Sequence, residues 1–341
     1  MLQYKILDLK NKFEKLSEKG DPLEKLNKVI NWEYFRKTIE QLIPRKNKGS
    51  KGGRPSYDCV LMFKIIILQT LYNLSDDQTE YQIIDRLSFM RFLGLSLLDR
   101  IPDAKTIWLF RENLGKNNGI RILFNEFENV LKESGFFTKS GQIVDASIIN
   151  APIRRTGKKD NELIKNGKKP KNWDRWSKSK KSQTDMCARW TKKGNKAYFG
   201  FKSHTNIDKE YKLIREYKIT DASVHDSCVF EDIYIHVDDS LDVYGDGAYR
   251  AKRIENFISK SGDKSKIQWN KPPNKTLSAI KKSINKINSA VRIRVEHIFA
   301  MQKSCMKLCI RTIGLHRAKI KIGLANLVYN FTRFEFLQRS Y

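Results

Sequence analysis

The sequence predicts an α/β protein in which an all-helical N-terminal region precedes a mixed-sheet domain. Three observations predict it. Apolar residues recur at helical spacing from Pro22 to about Ser134; from Gln142 the pattern changes to short β-branched and aromatic runs; and helical patterns then return among those runs. Strands first and helices interleaved afterwards is the order expected of a mixed α/β layer.

The elements follow in chain order. "PLEKLNKVINWEYFRKTIEQLI", Pro22 to Ile43, has a helical period, and "PRKNKGSKGGRPS" after it reads as a basic linker, serving either as a phosphate-binding arm through Arg54 or as a solvated hinge. "VLMFKIIILQTLY", Val60 to Tyr72, reads as a buried helix, being far shorter than the roughly 20 residues of a membrane span and interrupted by Lys64. Ser75 and Gln78 form a capping box ahead of "TEYQIIDRLSFMRFLG", Pro102 and Asp103 open "AKTIWLFRENLG", and Gly135 stops "IRILFNEFENVLKESG". Such short helices suit a helix-turn-helix-like DNA reader and a plain bundle equally well. "GQIVDASII", "KAYFGFKSHTNID", "YKLIREYKIT" and "LDVYGD" read as strands, whereas "CVFEDIYIHV", "AKRIENFIS" and the stretch from about Leu277 read as helices. The Lys-rich segment 154–185, with Trp173 and Trp176 among its charges, reads as a long mobile loop that either stacks on an unpaired base or is simply solvated.

Composition narrows the partners. The 341 residues carry 66 Lys and Arg against 38 Asp and Glu, a net charge of +28, so a polyanion is the expected ligand, nucleic acid ahead of an anionic membrane. The first twenty residues lack the apolar core of a secretory signal, so a cytoplasmic protein is expected. The 5 cysteines, at scattered spacing, suggest plain buried thiols rather than a disulfide framework or a zinc site.

Two aspartates stand out. Asp145 sits inside an apolar strand, where an acid is costly unless a positive group, a bound cation among them, pairs with it. Asp246 ends a strand between Gly245 and Gly247, which would let a ligand come close. Taken singly, each also fits a turn-capping role. On "VRIRVEHIFAMQK", Arg292, Glu296 and Lys303 fall within roughly 40° of one another at about 100° per residue, so one helix face presents a carboxylate between two cations. Glu296 is then either a third metal ligand or half of an ion pair with Arg292. Three carboxylates suit two Mg²⁺ ions acting on a phosphodiester. In "TDASVHDS", Asp221, His225 and Asp226 could supply a metal ligand or general base, but Asp226 and Ser227 are read more simply as the cap of the helix that follows. His297 lies beside Glu296 and is read as its neighbour. Lys202 and His204 share one side of a strand, facing DNA or solvent.

The ordered motifs "IVDAS", "YFGFKSHTNID", "ITDASVHDS", "YGDGAYR", "RIRVEHIFAMQK" and "RTIGLHRAKIKIGLANLVYNFTR" closely resemble bacterial insertion-sequence transposases of the DDE class, in particular the insertion sequence five group, related to the insertion sequence four superfamily. "GGRPSYDCVLMFKIIILQTLYNLSDDQTEYQIIDRLSFMRFLGL" and "IPDAKTIWLFREN" are similar to that group's helical N-terminal domain, and the resemblance runs from about Gly52 to Arg333. It implies a ribonuclease-H-like catalytic domain at 137–335, with the basic loop at 154–185, behind a helical segment at 1–45, a linker at 46–56 and a helical DNA-binding domain at 57–136. It implies Asp145, Asp246 and Glu296 as catalytic, metal-binding acids, and Mg²⁺ as cofactor, with Mn²⁺ as a substitute. The family's Tyr, Arg, Glu, Lys signature falls on Ser289, Arg292, Glu296 and Lys303, so its tyrosine is replaced here, which puts any contact made at that position in doubt.

The expected activity is a nucleoid-associated bacterial transposase. It would bind double-stranded DNA at inverted-repeat ends and target, cut, and join 3′-hydroxyl ends as a homodimer in a synaptic complex, without a membrane partner. Arg292, Lys303, Arg250, Lys202, Trp173, Trp176 and Arg54 are the candidate DNA contacts, with Tyr249 beside Arg250 also placed near phosphate. A transposase-derived repressor without catalysis and a metal-dependent nuclease of the same fold are the competing expectations.

Overall fold

The helical period at the start of the chain becomes eight α-helices: α1 (Leu2–Glu18), α2 (Pro22–Val29), α3 (Arg36–Leu42), α4 (Cys59–Leu71), α5 (Asp76–Asp85), α6 (Leu87–Leu93), α7 (Ala104–Gly115) and α8 (Gly119–Glu133). They belong to a computed structural model that describes residues 2–44, 55–152, 158–272 and 274–340, and the chain divides into two units, 1–130 with 323–341, and 131–322.

In the first unit the local signals act as expected. The Ser75 hydroxyl and the Gln78 side chain close a capping box at α5, and the Asp103 carboxylate accepts the Thr106 amide at 2.7 Å to start α7. Two expected helices are divided. The backbone is extended at Ile30, after which a 3₁₀ turn, Trp32–Phe35, sends the Trp32 and Phe35 rings into the core, and an extended Arg86 separates α5 from α6. α4 is buried along nearly its whole length, with Asp58 capping it through Val60 and Leu61. Its one cation, Lys64, lies over the Phe92 ring at 4.7 Å, and burial pushes its pKa down to about 8.

The core of this unit is aromatic, and its last piece comes from the far end of the sequence. Phe331 packs edge-on against Phe127 with centroids 4.6 Å apart, and also meets Trp32, Phe35 and Phe63. The boundary expected at residue 335 is therefore drawn differently: the helix Leu315–Ser340 passes out of the second unit, and its residues from 323 onward complete the first.

The second unit is built on a six-stranded sheet of β1 (Gly141–Asn150), β2 (Arg189–Lys193), β3 (Lys196–Asp208), β4 (Ile214–Asp221), β5 (Asp242–Tyr244) and β6 (Lys264–Ser265), ordered β2-β3-β1-β5-β6 with β4 also on β3. The sheet is mixed, because β1, β5 and β6 run parallel while β2, β3 and β4 pair antiparallel. Its helices are α9 (Lys158–Lys165), α10 (Lys178–Ser182), α11 (Lys252–Lys260), α12 (Ala279–Ala300) and the start of α13 (Leu315–Ser340). One core gathers Val144, Phe230, Ile233, Val243, Tyr249, Ile254, Ile258 and Ile267. Gly200 sits where β3 passes closest to β1: a Cβ there would stand 2.1 Å from the Ile149 carbonyl.

Three local expectations change. The described part of the 154–185 segment holds α9, α10 and a 3₁₀ turn, Trp173–Arg175, rather than one long loop. The expected helix "CVFEDIYIHV" is two 3₁₀ turns, capped by the His225 ring accepting the Ser227 amide, which leaves Asp226 free to pair elsewhere. The 5 cysteines are free and none is fully buried.

Candidate active site

Strand register brings the two aspartates together. Along the parallel pair of β1 and β5, Gln142 lies beside Val243 and Ile143 beside Tyr244. The pairing ends at Tyr244, and Asp246 follows two residues later, near enough to Asp145 for its charge to add the smallest of the influences on the Asp145 carboxyl, after burial and Arg292. Asp246 caps the 3₁₀ turn Gly247–Tyr249 by accepting the Ala248 amide at 2.9 Å. Its flanking glycines make room for the chain itself rather than for a ligand. A Cβ on Gly247 would fall 1.8 Å from the Asn270 side chain, which donates to the Gly247 carbonyl, and one on Gly245 would press on the Tyr249 ring at 3.2 Å.

Asp145 is held on both oxygens. Its Oδ1 accepts the Ala146 amide at 2.7 Å, and its Oδ2 accepts Arg292 Nη2 at 2.8 Å. The side chains of this pair are only 13% and 14% exposed. Burial pushes the Asp145 carboxyl above the usual carboxylate range, the Arg292 guanidinium pulls it back, and Asp246 pushes it up again. Arg292 also donates Nη1 to Gln268 Oε1 at 3.0 Å, and Gln268 donates its amide to Ser289 Oγ at 2.5 Å. A chain of four side chains thus runs from Ser289 to Asp145. Beside it lies Tyr249, fully buried, with no hydrogen-bond partner for its hydroxyl among the described residues; burial first, then the charges of Asp145, Asp226 and Asp246, hold the phenol neutral.

The remaining candidates are dispersed. Glu296 is exposed on α12, and so is Lys303, which lies in a π-helical turn, Met301–Cys305, that shifts it from the α-helical phase assumed from spacing. His297 is exposed as well. Arg250 packs over the Trp269 ring at 3.3 Å and donates to the Ile267 carbonyl. Tyr249, expected near phosphate, is instead in the core. Lys202 turns inward, donating to Val224 O at 2.7 Å and Asp226 Oδ1 at 2.9 Å. His204, expected at DNA or solvent, is fully buried, with Nε2 at 2.9 Å from the Thr220 hydroxyl. Burial pushes its pKa down to about 4, Asp226 opposing and Lys202 reinforcing the shift. Trp173 and Trp176 pack on each other at 5.2 Å, and the Lys180 ammonium covers Trp176 at 3.7 Å. Arg54 lies outside the described residues.

A divalent cation does not fit this arrangement. Among the described residues no group of three His, Cys, Asp or Glu side chains is placed to hold a metal ion. The guanidinium of Arg292 occupies Asp145 Oδ2, and Glu296 is exposed. Sequence spacing put Arg292 beside Glu296; it contained no signal for Gln268, or for Asp145 as the guanidinium's partner.

The chain contains a helical unit and a unit built on a mixed sheet, and two family models match it. Residues 136–331 match the model described as Transposase DDE domain, and residues 11–113 match the one described as Transposase domain (DUF772). The first spans more than half of the chain, and the protein belongs to the transposase DDE domain family. Among solved structures, the cryo-EM structure of a piggyBac transposase synaptic complex with hairpin DNA is similar at a TM-score of 0.48 and 11% identity, over 94% of this chain and 76% of that one. Among the described residues, no single helix is long and apolar enough to cross a membrane.

Proposed function

We propose that the protein is a DNA transposase of the insertion sequence five group, with a ribonuclease-H-like catalytic unit, that binds the inverted-repeat ends of its own element, cleaves them and joins the 3′-hydroxyl ends to target DNA. The observation that carries this reading is the match of residues 136–331 to the DDE family, a segment in which Asp145 and Asp246 lie near enough for their charges to interact. The family's chemistry is typically that of divalent metals. Mg²⁺, replaceable by Mn²⁺, is the cofactor proposed here, with Asp145, Asp246 and Glu296 as its ligands once the acids are regrouped. Double-stranded DNA and a second copy of the chain are the proposed partners, and the bacterial nucleoid the proposed location. A net charge of +28 supports phosphate neutralisation as the main source of affinity. For DNA contact the exposed Lys303 is the readiest candidate, and Arg54 remains a proposal. Lys202, Arg250, Trp173, Trp176 and Arg292 would first have to leave the partners described above.

A binding-only protein is the second reading, favoured by one observation: the Arg292 guanidinium already occupies Asp145 Oδ2. One experiment separates the readings. The protein is incubated with Mg²⁺ and labelled DNA carrying the inverted repeats that flank its gene, scoring binding, 3′-end cleavage and joining. A transposase gives all three; cleavage without joining indicates a nuclease, and binding alone indicates a repressor.

A further inference from the structure

The disagreement between the paired Asp145 and a metal site has a definite structural cause. Asp145 Oδ2 is taken by Arg292, and Arg292 is not free to move, since Gln268 Oε1 accepts its second amino group and Ser289 Oγ in turn accepts the Gln268 amide. The links come from three elements of the same unit: β1, the segment after β6, and α12. Among the described residues the buried Arg292 Nε has no hydrogen-bond partner, and the guanidinium is held through its two amino groups. Ser289 stands three residues before Arg292, on the same helical face, and its short side chain lets Gln268 lie between them.

We propose that Gln268 and Ser289 are positioning residues that fix Arg292 on Asp145 as an internal counter-ion, and that a divalent cation reaches Asp145 only by displacing that guanidinium. A single carboxylate oxygen then exchanges one positive partner for another, with no net proton uptake. Removing the positive charge, or loosening its hold, favours cation binding. This inference rests on the reading of Asp145 as a metal ligand.

The test is Mn²⁺ binding to the full chain without DNA, followed by the loss of the free-ion electron paramagnetic resonance signal. Four variants are compared with the wild type: Gln268→Ala, Ser289→Ala, Arg292→Gln and Asp145→Asn. Circular dichroism checks that each is folded; Gln268→Ala leaves the Asp145 side chain and its charge in place, so it answers the question even if Arg292→Gln misfolds. The expected result is tighter binding by about ten-fold in Gln268→Ala, equivalent to 1.4 kcal/mol, a larger gain in Arg292→Gln, a gain in Ser289→Ala, and loss of binding in Asp145→Asn. If Asp145→Asn removes Mn²⁺ binding but neither Gln268→Ala nor Arg292→Gln tightens it, the counter-ion role is overturned while the metal reading survives. If Asp145→Asn binds Mn²⁺ as the wild type does, both fall.

Discussion

Replacing Lys202 with Met separates a structural lysine from a DNA-contacting one. The thioether keeps most of the side chain's apolar stem and removes only the ammonium, which donates at 2.7 Å to the Val224 carbonyl and at 2.9 Å to Asp226. Hydrogen bonds to a charged group contribute about 1.5–3 kcal/mol net, and removing one partner of a buried pair costs about 3–5 kcal/mol. The Lys202 side chain is 11% exposed, but that of Asp226 is 23% exposed, so water recovers part of the loss. Desolvation of the ammonium is also relieved. A net cost of about 2 kcal/mol follows, which lowers the melting temperature of a unit of this size by about 4–8 °C. Calorimetry of the full chain measures this, and a gel-shift titration on element-end DNA measures affinity beside it. The reasoning is refuted if melting is unchanged while DNA affinity falls several-fold, because Lys202 would then reach DNA and the buried pair would not form.

Three other outcomes are expected. His204 has a folded pKa of about 4 against 6.5 for the unconstrained ring, so the unfolded chain binds more protons between these values; stability is lost as pH falls from 6.5 towards 4, by no more than about 3 kcal/mol, and urea titrations of His204→Asn should show a flatter pH profile. Gly200→Ala drives a Cβ into the Ile149 carbonyl and should leave the second unit unfolded or insoluble, read as loss of soluble protein and of its melting transition. Phe331→Ala should destabilise the first unit by about 3–5 kcal/mol, despite its distance in sequence from the other rings, and limited proteolysis should then cut among α1–α8 first.

What the sequence made legible was whatever depends on period and local chemistry. The apolar run of α4, the capping box at Ser75 and the apolar run of β1 each reflect neighbours a few residues apart, and each element forms where its pattern places it. Asp145 and Asp246 could be selected because an acid in or just after an apolar strand is unusual. Partner choice was not legible. Arg292 and Asp145 are 147 positions apart, and helical spacing pointed Arg292 at Glu296 instead. The helical reading of the stretch from about Leu277 did not show that residues from 323 onward fill an aromatic core with residues 32–127. Gly245 and Gly247 announced a close approach without saying to what; Tyr249 and Asn270 occupy that space. Lys202 and His204 looked like surface residues because a polar alternation on a strand usually faces water, whereas most of β3 is buried.

We propose that Asp145 and Asp246 are needed for DNA cleavage. The most direct test is cleavage of labelled element-end DNA in Mg²⁺ by the wild type, Asp145→Asn and Asp246→Asn, with DNA affinity measured on the same preparations. The account predicts that both variants bind DNA as the wild type does and leave the phosphodiester uncut. Cleavage at the wild-type rate by either variant would contradict it.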